Sequence, residues 1–176
     1  MTQWTVESSR VGDAFGFSLN ATGDLLVGAP EGPLGRVYKI ENEGLTLVFE
    51  EEDFGAAGFS IARDENGAVF VGAPLADSGS GRIYRDGQIH KTGTSALGGY
   101  LHFEGGERLF SESKAYWLNE ALVSLPARLS SAAFWNEEWV IGMAQGSQAL
   151  VFDEGVLARS TATGLEGYAL CAANFD

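Results

Sequence analysis

The residues of this 176-residue chain that could carry chemistry are few: two histidines, one cysteine and a scatter of carboxylates. Nucleophilic catalysis needs a base beside the nucleophile, and only His90 and His102 can supply one. His90 sits in Gln88-Ile89-His90-Lys91, an outer-strand pattern that leaves its side chain solvated. His102 aligns with Leu19 and Ile61, which predicts a hydrogen-bonded histidine in a core. The chain contains no Gly-x-Ser-x-Gly elbow, no His-Glu-x-x-His and no Cys-x-x-Cys. Cys171 has no basic neighbour in sequence to lower its pKa and reads as a small apolar residue. A single cysteine also excludes an intrachain disulfide scaffold.

Carboxylates are plentiful enough to furnish the pair that glycoside hydrolysis requires. The densest run is Glu50-Glu51-Glu52-Asp53, which reads as a solvated charge run. The stretches Glu31–Gly35 and Asp77–Gly81 are Gly-rich but acidic, and no helix-opening pattern follows them, so they are not phosphate cradles. Trp135, Trp139, Trp117 and Tyr116 are the aromatics that could stack on a sugar ring, although strand packing absorbs aromatics equally well. The expectation is therefore no catalytic residue, no metal ligand and no cofactor. A binding site, if loops make one, draws on Glu31, Asp77, Ser78 and Ser80 and on Glu51 and Asp53.

Internal repetition identifies the elements that hold those loops. Gly16-Phe17-Ser18-Leu19 returns as Gly58-Phe59-Ser60-Ile61, and Gly28-Ala29-Pro30 returns 44 residues on as Gly72-Ala73-Pro74. Gly35-Arg36-Val37-Tyr38 likewise returns as Gly81-Arg82-Ile83-Tyr84. Weaker copies begin at Gly99-Tyr100-Leu101-His102 and at Ala132-Ala133-Phe134-Trp135, where Gly142 takes the place of Gly28 and Gly72. Repeats are thus expected over about 12–50, 54–92, 97–127 and 129–163, with a partial copy over 164–176 and a leading strand over 4–8. In the first repeat the short apolar runs Phe17–Leu19, Leu25–Val27, Arg36–Ile40 and Leu45–Phe49, bounded by Gly, Asn and Asp, are strand signals.

No stretch shows capped helical periodicity. The fold class is all-β: a small β-propeller of about four to five four-stranded antiparallel blades in one domain, 1–176, its ring closed by the N- and C-terminal strands. Phe17 and Phe59 are expected in the core between blades. Loops joining strands two and three (Glu31–Leu34, Leu75–Ser80, Gln145–Ser147) should emerge on the same side as the connections between blades (Glu50–Asp53, Thr92–Leu97, Thr161–Glu166).

These motifs resemble the FG-GAP repeat of integrin α-subunit propellers. Phe15-Gly16 with Gly28-Ala29-Pro30, and Phe54-Gly55 with Gly72-Ala73-Pro74, supply the two halves of the name. The resemblance is clear over roughly residues 15–85. It implies an extracellular adhesion or recognition module, and in many members a calcium loop between the first two strands. Here those loops, Asn20-Ala21-Thr22-Gly23-Asp24 and Arg63-Asp64-Glu65-Asn66-Gly67, are short and poor in carboxylates and read as plain turns.

Bulk composition narrows the partners. A net charge of −13 with three lysines would repel phosphate backbones and anionic membrane surfaces. No apolar run is long enough to span a membrane, and no signal-peptide pattern opens the sequence. A virion surface protein, made in the cytoplasm and displayed outside, reconciles that opening with an adhesion module. The expected partners are a protein or glycan on a cell surface, or other capsid or assembly subunits, with a homo-oligomer as one route to ring closure. The alternatives are a glycan-binding lectin and a small glycan-active enzyme using a carboxylate pair.

Overall fold

The computed structural model describes residues 12–31, 34–41, 44–51, 53–104, 106–125, 128–135, 138–145, 148–153 and 156–163. The chain forms two compact units, Met1–Glu112 and Ser113–Asp176. The protein is all-β. In the first unit, β1 (Ser18–Asn20), β2 (Leu25–Ala29), β3 (Gly35–Glu41) and β4 (Gly44–Glu51) make one antiparallel meander. A second meander follows from β5 (Ser60–Arg63), β6 (Val69–Ala73), β7 (Arg82–Arg85) and β8 (Gln88–Thr92). The hairpin β9 (Leu101–Glu104) and β10 (Glu107–Glu112) completes the unit. The second unit has a hairpin, β11 (Ala115–Leu118) and β12 (Ala121–Ser124). It also has a four-stranded sheet of β13 (Arg128–Trp135), β14 (Glu138–Gln145), β15 (Gln148–Asp153) and β16 (Val156–Thr163). Among the described residues, helix is confined to a single turn, α1 (Ala76–Gly79).

The strand runs expected in the first repeat lie within one or two residues of β1 to β4. What the repeated motifs do becomes plain where the two sheets of the first unit meet. A Cβ built on Gly28 would stand 2.0 Å from the carbonyl oxygen of Gly58, and one on Gly72 would stand 2.0 Å from that of Gly98. No side chain fits such a gap, so the glycine of Gly-Ala-Pro is required for the backbone of the next repeat to approach. The serine of Gly-Phe-Ser closes the same contact: Ser18 Oγ donates to the Gly58 carbonyl (2.6 Å) and Ser60 Oγ to that of Gly98 (2.7 Å). The first strands β1, β5 and β9 consequently stand side by side. In the second unit the register of β13 on β14 pairs Ser131 with Gly142, the same residue pair as Ser18 with Gly28 and Ser60 with Gly72.

Apolar side chains fill the space around this seam. Leu26 and Val37 of the first sheet pack with Ile61, Val71, Ala73 and Tyr84 of the second, joined by Ala57 and Ala76. The ring of Phe49 lies 4.7 Å from that of Tyr84. Buried apolar area of this kind stabilises at roughly 25 cal/mol per Å².

The repeated turn corrects three expectations. Ala14, Ala56 and Ala96 all have φ near +55° (54°, 59° and 55°), and each is followed two residues on by a positive-φ glycine: Gly16, Gly58 and Gly98 (89°, 89° and 92°). Gly58, with Ala57 before it, therefore takes the place of Phe15-Gly16. Phe54-Gly55 does not: Gly55 stands where Asp13 stands, each offering its carbonyl to a residue just past the Gly-Ala-Pro strand (Leu75 and Glu31).

In the third repeat the frame belongs to Gly98 rather than Gly99. Leu101 then matches Leu19 and Ile61, and His102, half-buried, matches Asn20 and Ala62. Phe17 is 50% exposed and Phe59 half-buried, because the two rings pack on each other (4.6 Å) beside the first strands instead of entering the seam. His90 lies exposed on β8, as expected.

Candidate functional site

Two features of the first unit gather polar or aromatic groups. One is built on Arg82 at the start of β7. Its Nε donates to Asp77 Oδ2 (2.6 Å) and its Nη2 to Asp77 Oδ1, a bidentate pair. Its Nη1 donates to Asp53 Oδ2 (3.1 Å) and to the Tyr84 hydroxyl (3.3 Å). That hydroxyl in turn donates to Glu51 Oε1 (2.5 Å).

The local backbone explains the aim of Asp77. It and Ser78 adopt left-handed conformations (φ 52° and 59°), which Asp tolerates better than most residues and which turn the carboxylate back over the strand it precedes. Three of the six sequence-predicted binding residues, Glu51, Asp53 and Asp77, are thus brought together, and they come from the two loop sets expected on one side.

The cluster consumes its own charges. Hydrogen bonding to Asp77, first among several contacts, holds the Arg82 guanidinium more firmly protonated than usual. Glu51 is only 5% exposed. Burial pushes its carboxyl above the usual range, outweighing the Tyr84 hydroxyl, the Ala57 backbone N–H and the Arg82 charge. A Cβ on Gly55 would lie 2.3 Å from Glu51 Oε2, so the loop backbone covers the acid. Burial and the hydrogen bond to Glu51 push the Tyr84 hydroxyl up to about 12. This is a clamp between loops, its arginine held by Asp77, Asp53 and the Tyr84 hydroxyl.

The remaining predicted residues stand apart. Glu31 is exposed, with its backbone N–H on the Asp13 carbonyl (3.1 Å). Ser78 is exposed, and Ser80 contributes its backbone carbonyl to Leu97 (3.1 Å). The connection from β8 to β9 is held structurally too: Glu112 Oε1 accepts from Thr94 N (2.5 Å), Thr94 Oγ1 (2.7 Å) and Ser95 N (3.0 Å).

Tyr116 is buried and Trp117 half-buried. The side chains of Trp135 and Trp139, residues 146–147 and 164–166 of the candidate loops, Cys171 and the terminal strands lie outside the described residues. Asp64, in the turn after β5, directs Oδ1 at the backbone N–H groups of Asn66 (3.0 Å) and Ala68 (2.9 Å), the geometry of a hairpin turn. Among the described residues no group of three or more His, Cys, Asp or Glu is placed to hold a metal ion.

The second feature is a groove of about 720 Å³ running along β1, β5 and β9. Phe17, Phe59, Tyr100 and Phe103 contribute aromatic surface to it, and Asn20, Arg63 and His102 contribute polar groups. The Tyr100 and His102 rings are stacked, 6.3 Å apart and 4° from parallel. Sequence reasoning missed both Arg82 and this groove. The repeated Gly-Arg-x-Tyr was visible, but the partners of its arginine lie 5 and 29 residues away, and the groove joins strands some 40 residues apart.

No family model matches the chain, and no curated protein matches it.

Proposed function

We propose that this chain is a β-propeller-type recognition module of the FG-GAP-like kind, with about four to five blades, that binds a partner and catalyses nothing. The observation that carries this reading is the seam. The same Ser–Gly contact sets the first sheet against the second and the second against β9–β10, and repeated application of one such step arranges sheets around an axis. The Ser131–Gly142 register pair supports a further step. Closure of the ring by the N- and C-terminal strands belongs to this proposal, as does display on a virion or cell surface for adhesion, host attachment or decoration. Binding without turnover is the simpler reading of the Arg82 clamp, in which Glu51 is covered and Asp53 and Asp77 are ion-paired with the arginine.

The test uses the full chain, fluorescently labelled, against a panel of cell surfaces and a carbohydrate panel, with released reducing ends measured in parallel. Saturable binding with no turnover is expected. Turnover lost in Glu51→Gln would replace this reading with a glycan-active enzyme. Assembly into particles with no binding to any surface would replace it with a purely structural subunit.

A further inference from the structure

The outer strand of the first sheet differs from the other outer strands. Among the described residues β4 pairs with β3 alone, so its far side carries unpaired backbone groups. From Gly44 to Phe49 it reads Gly-Leu-Thr-Leu-Val-Phe, without a charge or a proline, in a chain whose net charge is −13. Leu47 and Val48 are 49% and 46% exposed, and Thr46 is exposed beside them. The outer strands of the other sheets are guarded or short: β8 carries Lys91, β16 carries Arg159, and β12 has four residues. Such charges keep an edge from pairing with another chain, and β4 has none over its central run.

The ladder shows which backbone groups are free. Glu41 pairs with Gly44 and only two residues separate them, so this pair exchanges its hydrogen bonds across β3 and β4. Hydrogen-bonded and non-hydrogen-bonded pairs alternate along an antiparallel ladder. Leu45 and Leu47, opposite Ile40 and Tyr38, therefore turn their N–H and C=O groups to the free side. Val48 is the residue skipped where the register shifts, so the regular ladder ends at Leu47.

We propose that β4 is a homodimer joint, in which a second copy of this chain lays its own β4 antiparallel to the first about a two-fold axis through Thr46. The strand is its own complement about that axis. Leu45 of each copy stands against Leu47 of the other, so each free N–H meets a free C=O. Thr46 stands against Thr46, a non-hydrogen-bonded pair with Cα atoms about 4.5 Å apart and β-branched side chains in contact. Charge fixes the direction. Glu50 lies four residues from the axis and is tied to Arg36 of its own copy (2.5 Å). The two Glu50 residues are then roughly 26 Å apart along the strands, well beyond a Debye length of about 8 Å. Parallel pairing would bring them to about one strand spacing, 4.8 Å. This joint goes beyond the recognition reading and does not depend on it.

Sedimentation equilibrium on the full chain, at up to about 1 mM in about 0.15 M NaCl, tests it. A reversible monomer–dimer equilibrium is expected, weak because one strand edge buries less than a standard interface. Both copies are acidic, so raising the salt to about 1 M should tighten the dimer severalfold. Thr46→Lys opposes like charges on the axis and should weaken the dimer at least about tenfold, as should Thr46→Glu. An equimolar mixture of those two variants opposes unlike charges and should restore it, which separates loss of the joint from loss of folding. In a Cys171→Ser background under copper–phenanthroline, Thr46→Cys should form a disulfide-linked dimer. Leu47→Cys should not, because its two Cα atoms would lie about 8 Å apart across the axis.

A chain that stays monomeric at about 1 mM in about 1 M salt would overturn the proposal. So would a dimer that both Thr46→Lys and Thr46→Glu leave intact, which would place the joint on another surface, or a mixture of the two variants that fails to dimerise.

Discussion

The first and second repeats carry the same motif in the same order, yet one matched position differs widely. Leu19 is 64% exposed and Ile61 only 6%. Both lie on first strands, both pair with a valine of the second (Val27 and Val71), and those valines pair with matched tyrosines (Tyr38 and Tyr84). The difference is the neighbour. Ile61 packs against Leu26, Val37 and Ala57, which stand on and beyond the sheet preceding its own. The matched glycines agree: a Cβ on Gly58 would meet the Arg36 carbonyl at 2.4 Å and one on Gly98 the Arg82 carbonyl at 2.7 Å, whereas one on Gly16 would meet nothing within 4 Å. A motif thus specifies a surface, and burial depends on what the chain brings to it.

The largest effects should come from forcing the seam apart. Gly28→Ala and Gly72→Ala should each destabilise by about 3 kcal/mol or more, because a Cβ at 2.0 Å from a backbone oxygen must move a strand. Gly58→Ala and Gly16→Ala then isolate the comparison, since the two share a φ of 89°. Gly16→Ala should cost only the strain of a left-handed alanine, about 1–2 kcal/mol, and Gly58→Ala clearly more. Equal losses in urea unfolding would mean that Gly16 has a neighbour of its own.

Cavity creation comes next. Ile61→Ala should cost about 2–4 kcal/mol. Leu19→Ala reads ring closure: a loss as large as that of Ile61→Ala is expected if another sheet covers the first as the first covers the second, and a loss of less than about 1 kcal/mol would count against closure.

The smallest effects are those of pH on the clamp. Glu51 holds its proton above the ordinary carboxylate range in the folded state, so the native protein binds more protons than the unfolded chain over that window. Its contribution therefore weakens the fold as pH rises from the ordinary range through the raised value, and is absent below both. Tyr84, raised from 10.0 to about 12, has the same sign at the alkaline end. Tyr84→Phe should remove the part of the alkaline fall in melting temperature that begins above pH 10. An unaltered alkaline limb would place the Tyr84 hydroxyl outside the clamp.

How much of this could be read from residues alone follows from what each feature depends on. Gly-Phe-Ser and Gly-Ala-Pro stand out in sequence because close backbone approach tolerates nothing larger, so the sheets and their repeat were legible. The frame of the third repeat was not: Gly98-Gly99 offers two choices, and Tyr100 replaces the seam serine, so only the positive φ at Gly98 decides. Phe17 could not be placed by pattern, since alternation gives the side of a strand and not the neighbour on that side. Glu51, Asp53 and Asp77 were found as acidic loop residues. That an arginine gathers two of them depends on the left-handed turn at Asp77, which no local composition announces.

The seam has a consequence for how such a chain changes over generations. Its contact is made by a glycine, a backbone carbonyl and one hydroxyl, so selection on the joint between sheets reaches few side chains. Everything else in a repeat is free to drift, provided that volume and strand alternation persist. A duplicated unit would therefore lose recognisable likeness to its parent quickly while still stacking at the same angle. The third repeat keeps the turn at Ala96 and Gly98, which receives Ser60 and Gly72 of the second, and lacks the serine and the Gly-Ala-Pro that would offer the same contact onward.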